Sequence, residues 1–130
     1  MKAILSSGRR KHAIARAVLH EGNGIVRINS KNINIYQPEL AKMKLMEPLV
    51  LSGDVAKGVN INVNVFGGGW QSQTEASRLA IARALVNYDK KLKKVFLDYD
   101  RHLLVADTRH NEPHKPNDSK ARKARQKSYR

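Results

Sequence analysis

Cysteine is absent from this chain of 130 residues. Disulfide bonds and thiolate metal sites are therefore excluded, and the composition is typical of a reducing compartment. Aromatic side chains make up only 5% of the residues, so aromatic platforms for base stacking are not expected to be the main binding device. No apolar run reaches the ~18 residues of a membrane span, and no apolar signal segment follows the first residues. We therefore expect no membrane-spanning segment and no secretory signal.

Patterns of catalytic and metal-binding residues are also missing. No Ser/His/Asp set and no pair of carboxylates can be picked out for catalysis. His110 and His114 are four residues apart, but they lie in a polar segment with prolines and not on a helix. Histidines in such a setting, with no cysteine or carboxylate cluster, do not make a metal site. We expect no enzymatic activity, no metal, no cofactor and no small-molecule substrate.

Positive charge is what the chain has in excess. Lysine and arginine number 25 against 11 acidic residues, which gives a formal net charge of +14 and a pI of about 10.4. Such an excess repels itself, so a polyanionic partner is expected. Nucleic acid is the first candidate and an anionic membrane surface is the second.

The segment from residue 59 to residue 86 organises the chain. Residues 59–65 alternate β-branched side chains with asparagines, which predicts a strand with one buried face. The glycines Gly67, Gly68 and Gly69 predict a sharp turn, and residues 73–86 repeat apolar side chains at helical spacing. The apolar arc of this helix consists of Leu79, Ile81, Ala82, Leu85 and Val86. Arg78 lies inside the arc, so we expect its side chain to reach outward to solvent.

The N-terminal part is predicted to be extended. Residues 3–19 form a strand region that residues 8–11 interrupt, and the small side chains Ala13, Ala15 and Ala17 share a face that suits packing beneath a helix. Residues 21–24 form a turn. A second strand at residues 25–29 then predicts a hairpin, and residues 33–36 continue the extended structure.

Two further helices are predicted. Pro38 suits the first turn of a helix, which Leu40, Met43 and Met46 line and which ends before Pro48. Residues 49–51 then form a buried connection and residues 52–58 a loop. Asp89 is an expected N-cap for the next helix. Its shared face consists of Leu92, Val95, Phe96 and Tyr99, and its lysines form a solvated face. Residues 103–106 are predicted as the last strand.

These elements predict an α/β (α+β) domain over residues 1–106, followed by an extended basic tail over residues 107–130. From residue 107 onward the non-polar side chains are only Ala, Pro and one Tyr, and residues 119–130 carry six cations and no acid. Such a segment cannot bury enough apolar surface to offset its ordering entropy. We therefore expect it to become ordered on a partner.

Three features are candidate sites, and each has a simpler alternative. The glycine turn leads into a helix N-terminus, which suits a phosphate but equally a tight packing turn. Arg9, Arg10 and Lys11 would contact several phosphates, since neighbouring side chains of an extended segment point apart; the alternative is a solvated run of charges. The basic tail would either bind phosphates non-specifically or thread into folded RNA, and the residues favour neither.

Four motifs in order resemble one family. Residues 8–17 (GRRKHAIARA) resemble the opening motif of ribosomal protein S nine, a universal small-subunit family. The glycine turn with Gln73 and residues 82–85 (ARAL) resembles its central signature. Residues 104–109 (LVADTR) resemble its last strand, and residues 126–130 (QKSYR) resemble the tail ending of its archaeal and eukaryotic branch. Each motif alone is weak, but together they cover nearly the whole chain.

The resemblance implies a structural protein that binds ribosomal RNA in the head of the small subunit, beside neighbouring ribosomal proteins. It also implies a cytoplasmic location on the ribosome, with no membrane partner. It also implies a two-layer domain with a mostly antiparallel sheet of about four strands and a left-handed crossover, against the usual handedness. The residues expected to bind RNA are Arg9, Arg10, Lys11, Arg78, Arg83, Arg109, Lys120, Arg122, Lys123 and Arg125. The tail end, expected near P-site transfer RNA, consists of Lys127, Ser128, Tyr129 and Arg130.

Three rival functions follow from other features. A ribonuclease P-type protein subunit rests on analogy of fold alone. A kinase-like module would use the glycine turn on a nucleotide, but the lysine and the carboxylates of such sites are missing. A DNA-compacting protein is compatible with the charge alone.

Overall fold

Alternating side chains build the central strand as predicted. The computed structural model describes residues 2–116 and residue 121, and in it strand β5 spans Val59–Phe66. Its four β-branched side chains at positions 59, 61, 63 and 65 are buried, whereas Asn62, Asn64 and Phe66 are exposed. This pattern requires one covered and one open face of the sheet, because strand side chains alternate.

The sheet has five strands in the described part of the chain. Strand β1 spans Ile4–Arg10, β2 spans Ala13–Glu21, β3 spans Val26–Ile28 and β4 spans Lys31–Asn32. The strand order is β1-β2-β5-β3-β4, with β3 parallel to β5 and every other pair antiparallel. The predicted α+β class is confirmed, with one more strand than expected and a mixed sheet.

The predicted hairpin between β2 and β3 is wrong. The far edge of β2 pairs with β5 instead, with Ala17 opposite Val63. The intervening turn is held by Asn60 of β5, whose side-chain oxygen accepts the backbone N–H groups of Asn23 (2.9 Å) and Ile25 (3.0 Å). The turn therefore carries the chain across the end of β5, and β3 pairs on its other side.

The predicted interruption at residues 8–11 is shorter than expected. Gly8, Arg9 and Arg10 belong to β1, and the chain reverses only at residues 11–12, where Lys11 adopts a φ of 52°. Gly8 allows a close approach: a Cβ atom there would lie 2.8 Å from the backbone nitrogen of Ala80, and nearer still to a second backbone atom. Glycine is therefore a packing requirement at this position.

Helix α3 (Trp70–Tyr88) covers the small-residue face. Ala13, Ala15 and Ala17 of β2 are almost completely buried, as predicted, because small side chains let the helix approach the sheet closely. Ser6 of β1 donates its hydroxyl hydrogen to the Ala80 carbonyl at 2.6 Å. The predicted arc is buried at Leu79, Ile81, Ala82 and Leu85 and half-buried at Val86.

Helix α1 (Glu39–Ser52) begins beside Pro38 as expected but continues through Pro48, so its predicted end is wrong. Leu40 and Met43 are exposed, and the side of α1 that packs is formed by Ala41, Leu45, Pro48 and Ser52. Burial of the proline ring offsets the backbone hydrogen bond that proline cannot donate. The predicted connection at residues 49–51 is helical, and helix α2 (Asp54–Lys57) lies inside the predicted loop.

Helix α4 (Leu92–Tyr99) follows a turn in which Asp89 accepts the N–H of Lys91 at 3.0 Å. Leu92 and Phe96 are buried, but Val95 and Tyr99 are exposed, so only half of the predicted face packs. A 3-10 turn (Arg101–Leu103) replaces the start of the predicted last strand, and residues 104–106 are irregular. A second 3-10 turn (Ile33–Ile35) replaces the predicted extended segment.

Helices cover one face of the sheet, and the core lies between the two layers. Its largest completely buried side chains include Phe96, Leu19, Ile28 and Leu45. The crossover from β3 to β5 runs through α1 and α2; its predicted left hand stays a prediction. Within residues 2–116, no helix is long and apolar enough to cross a membrane.

Candidate nucleic-acid interface

Arg10 joins the end of β1 to the helix layer and to the C-terminal segment. Its Nε donates to the Glu75 carboxylate at 2.7 Å, and its Nη1 donates to the Arg109 carbonyl at 3.0 Å. Its Nη2 lies 3.7 Å from Asp107, and only 15% of the side chain is exposed. Three partners from two elements therefore hold this guanidinium in place.

Asp107 and Arg109 form a compact ion pair beside Arg10. Arg109 donates two hydrogen bonds from Nε (3.0 and 3.1 Å) and one from Nη2 (2.6 Å) to the Asp107 carboxylate, and its backbone N–H adds a fourth. The side-chain hydrogen bonds from Arg109 hold the pKa of Asp107 far below its usual range, and they raise the pKa of Arg109. The Arg109 side chain is still 80% exposed, so the outer side of the guanidinium faces solvent.

Arg78 of α3 does not reach outward, contrary to the sequence prediction. Its side chain is 13% exposed and pairs with Glu47 of α1 and, at 3.1 Å, with Asp100 after α4. Burial works to raise the pKa of Asp100, but hydrogen bonds from the His102 N–H and from Arg78 outweigh it, so the pKa is lowered. A charge in the apolar arc is tolerated here because it pairs with two carboxylates, one from α1 and one from the residue after α4.

Arg83 lies on the same helix and reaches over the edge of β1. Its Nε donates to the Leu104 carbonyl at 3.2 Å and its Nη1 to the Ser7 carbonyl at 2.9 Å. Hydrogen bonds from Arg83 and Arg10 therefore hold residues 104–109 along β1. Residues 104–106 of this segment belong to the predicted last strand (residues 103–106), and side-chain hydrogen bonds replace the backbone ladder that was expected there.

The glycine turn has a clear packing role. Gly67 and Gly68 have φ values of +80° and +65°, and a Cβ atom on Gly67 would lie 2.5 Å from the His12 carbonyl oxygen. Gln73 closes the turn by donating to the Gly67 carbonyl at 3.1 Å. The tight-turn alternative therefore explains the first two glycines. Gly69, at the start of α3, has open space around its Cβ position and no side-chain cap on the helix.

The predicted cations thus fall into three groups. Arg10, Arg78 and Arg83 are engaged inside the chain. Arg9 and Arg109 are exposed, and Lys11 is half-exposed at the turn. The tail residues Lys120, Arg122, Lys123, Arg125, Lys127, Ser128, Tyr129 and Arg130 lie outside the described residues. Arg9, Arg10, Arg78 and Arg109 line one cleft with Lys44, Glu47, Glu75 and Asp100. No group of three or more residues in the described ranges could hold a metal ion.

Two exposed arginines were missed as site candidates. Arg16 of β2 and Arg27 of β3 lie on the sheet face that the helices leave open. The Arg16 guanidinium lies 5.8 Å from the centre of the Phe66 ring, within the range of a cation–π contact. The signal was present in the sequence, because Arg16 alternates with the buried alanines of the same strand.

Known proteins match this chain over its whole length. The family model described as Ribosomal protein S9/S16 matches residues 8–130. The small ribosomal subunit protein uS9 of Desulfurococcus amylolyticus is 52% identical, over 100% of this chain and 94% of that protein. The uS9 proteins of Methanococcus vannielii and Methanococcus maripaludis are each 47% identical over 100% of both chains.

A family model that covers almost the entire chain and relatives at about half identity agree with the four motifs and with the α+β fold. The catalytic alternatives have no support in the site, where arginines are held by carboxylates and carbonyls. The chain belongs to the ribosomal protein S9/S16 family, in its archaeal uS9 type, a family of structural proteins that are not enzymes.

Proposed function

We propose that this protein holds ribosomal RNA of the small-subunit head through phosphate contacts of Arg9, Lys11, Arg109 and the basic tail, and that the tail end reaches P-site transfer RNA. As a member of its family it is a structural constituent of the small ribosomal subunit, where it associates with ribosomal RNA and ribosomal proteins. Its cytoplasmic location belongs to the same proposal.

The observation that carries the proposal is the convergence of two basic segments at one end of the sheet. The hydrogen bond from Arg10 to the Arg109 carbonyl brings residue 109 beside the end of β1, where Arg9 and Lys11 project. The tail therefore starts next to a basic turn. Cations so placed neutralise phosphates and release counterions, which gives affinity without reading sequence.

The other predicted cations take a different role in the proposal. Arg10 and Arg83 set the course of residues 104–109, and Arg78 holds the helix layer together; each supports the RNA-binding surface by positioning. The Gly67–Gly69 turn stays in the proposal as backbone that a phosphate can approach, at Gly69 in particular. Open space there leaves the first N–H groups of α3 accessible to an anion.

Residues 1–106 are proposed as the RNA-binding body and residues 107–130 as the tail. Arg10 of the body contacts both the Asp107 carboxylate and the Arg109 carbonyl, so the start of the tail still touches the body. These contacts give the tail a defined starting direction. Neighbouring ribosomal proteins of the head are the proposed protein partners.

A tail variant tests the RNA contact. Residues 119–130 carry six cations, namely Lys120, Arg122, Lys123, Arg125, Lys127 and Arg130. With about 0.7 units of log–log salt slope per contact on single strands, their replacement by glutamine lowers the slope by about 4 units. The measurement is a filter-binding salt titration with small-subunit ribosomal RNA. An unchanged slope for the variant would refute the tail contact. Equal affinity of the native chain for duplex DNA and for structured RNA at matched salt would favour the DNA-compacting alternative.

A scrambled tail tests the role at transfer RNA. The same residues 119–130 in another order keep the charge but move the tail end. We expect reconstituted small subunits with the scrambled tail to assemble but to bind P-site transfer RNA more weakly than subunits with the native order. Equal transfer-RNA binding would mean that the tail acts by charge alone.

Ribosomal RNA is also expected to co-purify with the native chain, in contrast to the short processing RNA of a ribonuclease P-type subunit.

A further inference from the structure

The open face of the sheet carries two exposed arginines, Arg16 and Arg27, that the proposed function leaves unused. The outward positions are 5, 7 and 9 on β1, the even positions 14–20 on β2, position 27 on β3 and the even positions 60–66 on β5. None of these twelve positions carries an acidic residue. We call the surface formed by Arg16, Arg27, Asn62, Asn64 and Phe66 the open sheet face.

Its cations are free of intramolecular carboxylates. The side chains of Arg16 and Arg27 are exposed and make no hydrogen bond or ion pair with any residue in the described ranges. The Arg16 side chain contacts the ring of Phe66. This contrasts with Arg10 and Arg78 on the covered side, which two or more partners hold. Unpaired arginines on a helix-free sheet leave their bidentate donors available to an anionic ligand.

The polar side chains between these arginines suit a nucleic acid. Asn62 and Asn64 project from β5, which lies between the strands of Arg16 and Arg27. Neighbouring strands are about 4.8 Å apart, so the two arginines sit on strands about 10 Å apart with the amides between them. Amides both donate and accept, as contacts with 2′-hydroxyls and base edges require. Asn60 on the same strand is already engaged with the turn after β2.

Phe66 adds a stacking surface at one end of the face. Phe66 is 50% exposed, and the Arg16 guanidinium lies 5.8 Å from the centre of its ring. An exposed aromatic ring gives an unpaired base a surface to stack on, and the cation–π contact keeps Arg16 beside it. Two arginines among outward positions that carry no acid disfavour a protein partner with a mixed-charge surface.

We propose that the open sheet face binds a second segment of ribosomal RNA, with Arg16 and Arg27 on phosphates and with Asn62 and Asn64 between them. The proposal rests on the proposed function, since it assumes that the ligand of the body is ribosomal RNA. It adds a surface on the far side of the sheet from the helices, built by residues that are not among the predicted site residues.

The absence of cysteine provides a direct test, because a single introduced cysteine is a unique attachment point. Iron–EDTA is attached to Asn62→Cys on the open sheet face, to Asp98→Cys on the exposed side of α4, and to Ala121→Cys in the tail. Each full-length variant is reconstituted with small-subunit ribosomal RNA and the other small-subunit proteins. We expect localised RNA cleavage from residue 62 and from residue 121, and little cleavage from residue 98.

The outcomes separate this inference from the proposed function. Cleavage from residue 121 with none from residue 62 overturns the open sheet face as an RNA site and leaves the tail contact standing. No stable association of any variant with the RNA overturns both. Cleavage of a ribosomal protein from residue 62, with no RNA cleavage, assigns the face to a protein partner and also overturns the inference.

A charge-matched pair of variants gives a quantitative second readout. Arg16→Gln with Arg27→Gln removes two cations from the open sheet face, whereas Lys93→Gln with Lys94→Gln removes two exposed cations from α4. At about 0.7–0.9 units per phosphate contact, the first pair lowers the log–log salt slope of ribosomal RNA binding by about 1.4–1.8 units. The second pair leaves it nearly unchanged. Equal slopes for both pairs would overturn the inference, provided that both melt like the native chain.

Discussion

Replacement of Arg78 by methionine tests whether the helix layer depends on one buried cation. The guanidinium is 13% exposed and faces the carboxylates of Glu47 and Asp100, which are 31% and 36% exposed. Methionine fills a similar volume but leaves two carboxylates facing each other without a cation. The three groups come from α1, α3 and the segment after α4, so the loss acts on all three helices.

The expected loss in the free energy of unfolding lies between two known limits. Removal of one partner from a fully buried pair costs about 3–5 kcal/mol, whereas an exposed pair contributes about 0–1 kcal/mol. Because both carboxylates are about one-third exposed, solvent screens part of the penalty, and we expect a loss of about 2 kcal/mol. For a domain of this size that corresponds to a fall in Tm of about 8 °C.

Urea denaturation followed by circular dichroism measures this free energy of unfolding. We expect a lower midpoint with an unchanged slope. Lys93→Met is the matched control, since it removes an exposed cation of α4, and its effect should stay within about 0.5 kcal/mol. The double variant Arg78→Met with Glu47→Met should recover part of the loss, because it removes a carboxylate left without its cation. A loss below 0.5 kcal/mol for Arg78→Met alone would refute the reasoning.

Four further substitutions probe the site and the residues that support it. The pKa of Asp100 is lowered in the fold, so its stabilising effect is complete above the ordinary carboxyl range and is lost as the pH falls through its folded pKa. Acid unfolding should therefore be shallower for Asp100→Asn than for the native chain, and parallel curves would contradict this. Gly8→Ala should cost about 2–3 kcal/mol by displacing α3, and a native Tm would show that the helix approach is not tight. Gly67→Ala should lower the free energy of unfolding by about 2 kcal/mol, because of its φ of +80° and the nearby His12 carbonyl. Gly69→Ala should leave stability unchanged and weaken RNA binding. Equal melting temperatures of these two variants would contradict the packing role of the turn.

The strand–turn–helix segment could be predicted because its determinants are local. Period-two alternation in β5 and helical spacing in α3 are visible within the segments themselves. The close packing of Ala13, Ala15 and Ala17 followed from their size and shared face, which again needs only the sequence of β2. Family motifs then supplied the nucleic-acid function, which composition alone left open between RNA, DNA and membrane surfaces.

The errors concern choices that distant residues decide. The partner of β3 is selected by Asn60, 35 residues beyond Ile25, and no local pattern shows this. Pro48 stays within α1 because its ring is buried, whereas the local rule ends the helix before it. The segment after Leu103 has the apolar composition of a strand, but arginine side chains bind its carbonyls at the edge of β1. Tertiary contacts override local propensity in each case.

The distribution of the acidic residues explains why arginines that look alike in the sequence have different roles in the structure. Four of the eleven carboxylates, Glu47, Glu75, Asp100 and Asp107, line the single cleft that contains Arg10 and Arg78. Clustered acids hold those arginines inside the fold, and the same clustering leaves the outward positions of the sheet without any acid. A strongly basic chain must separate cations that support its own structure from cations that meet RNA. For the arginines of the strands, our proposal assigns that separation to the two sides of the sheet, since side chains of neighbouring strand positions point to opposite faces.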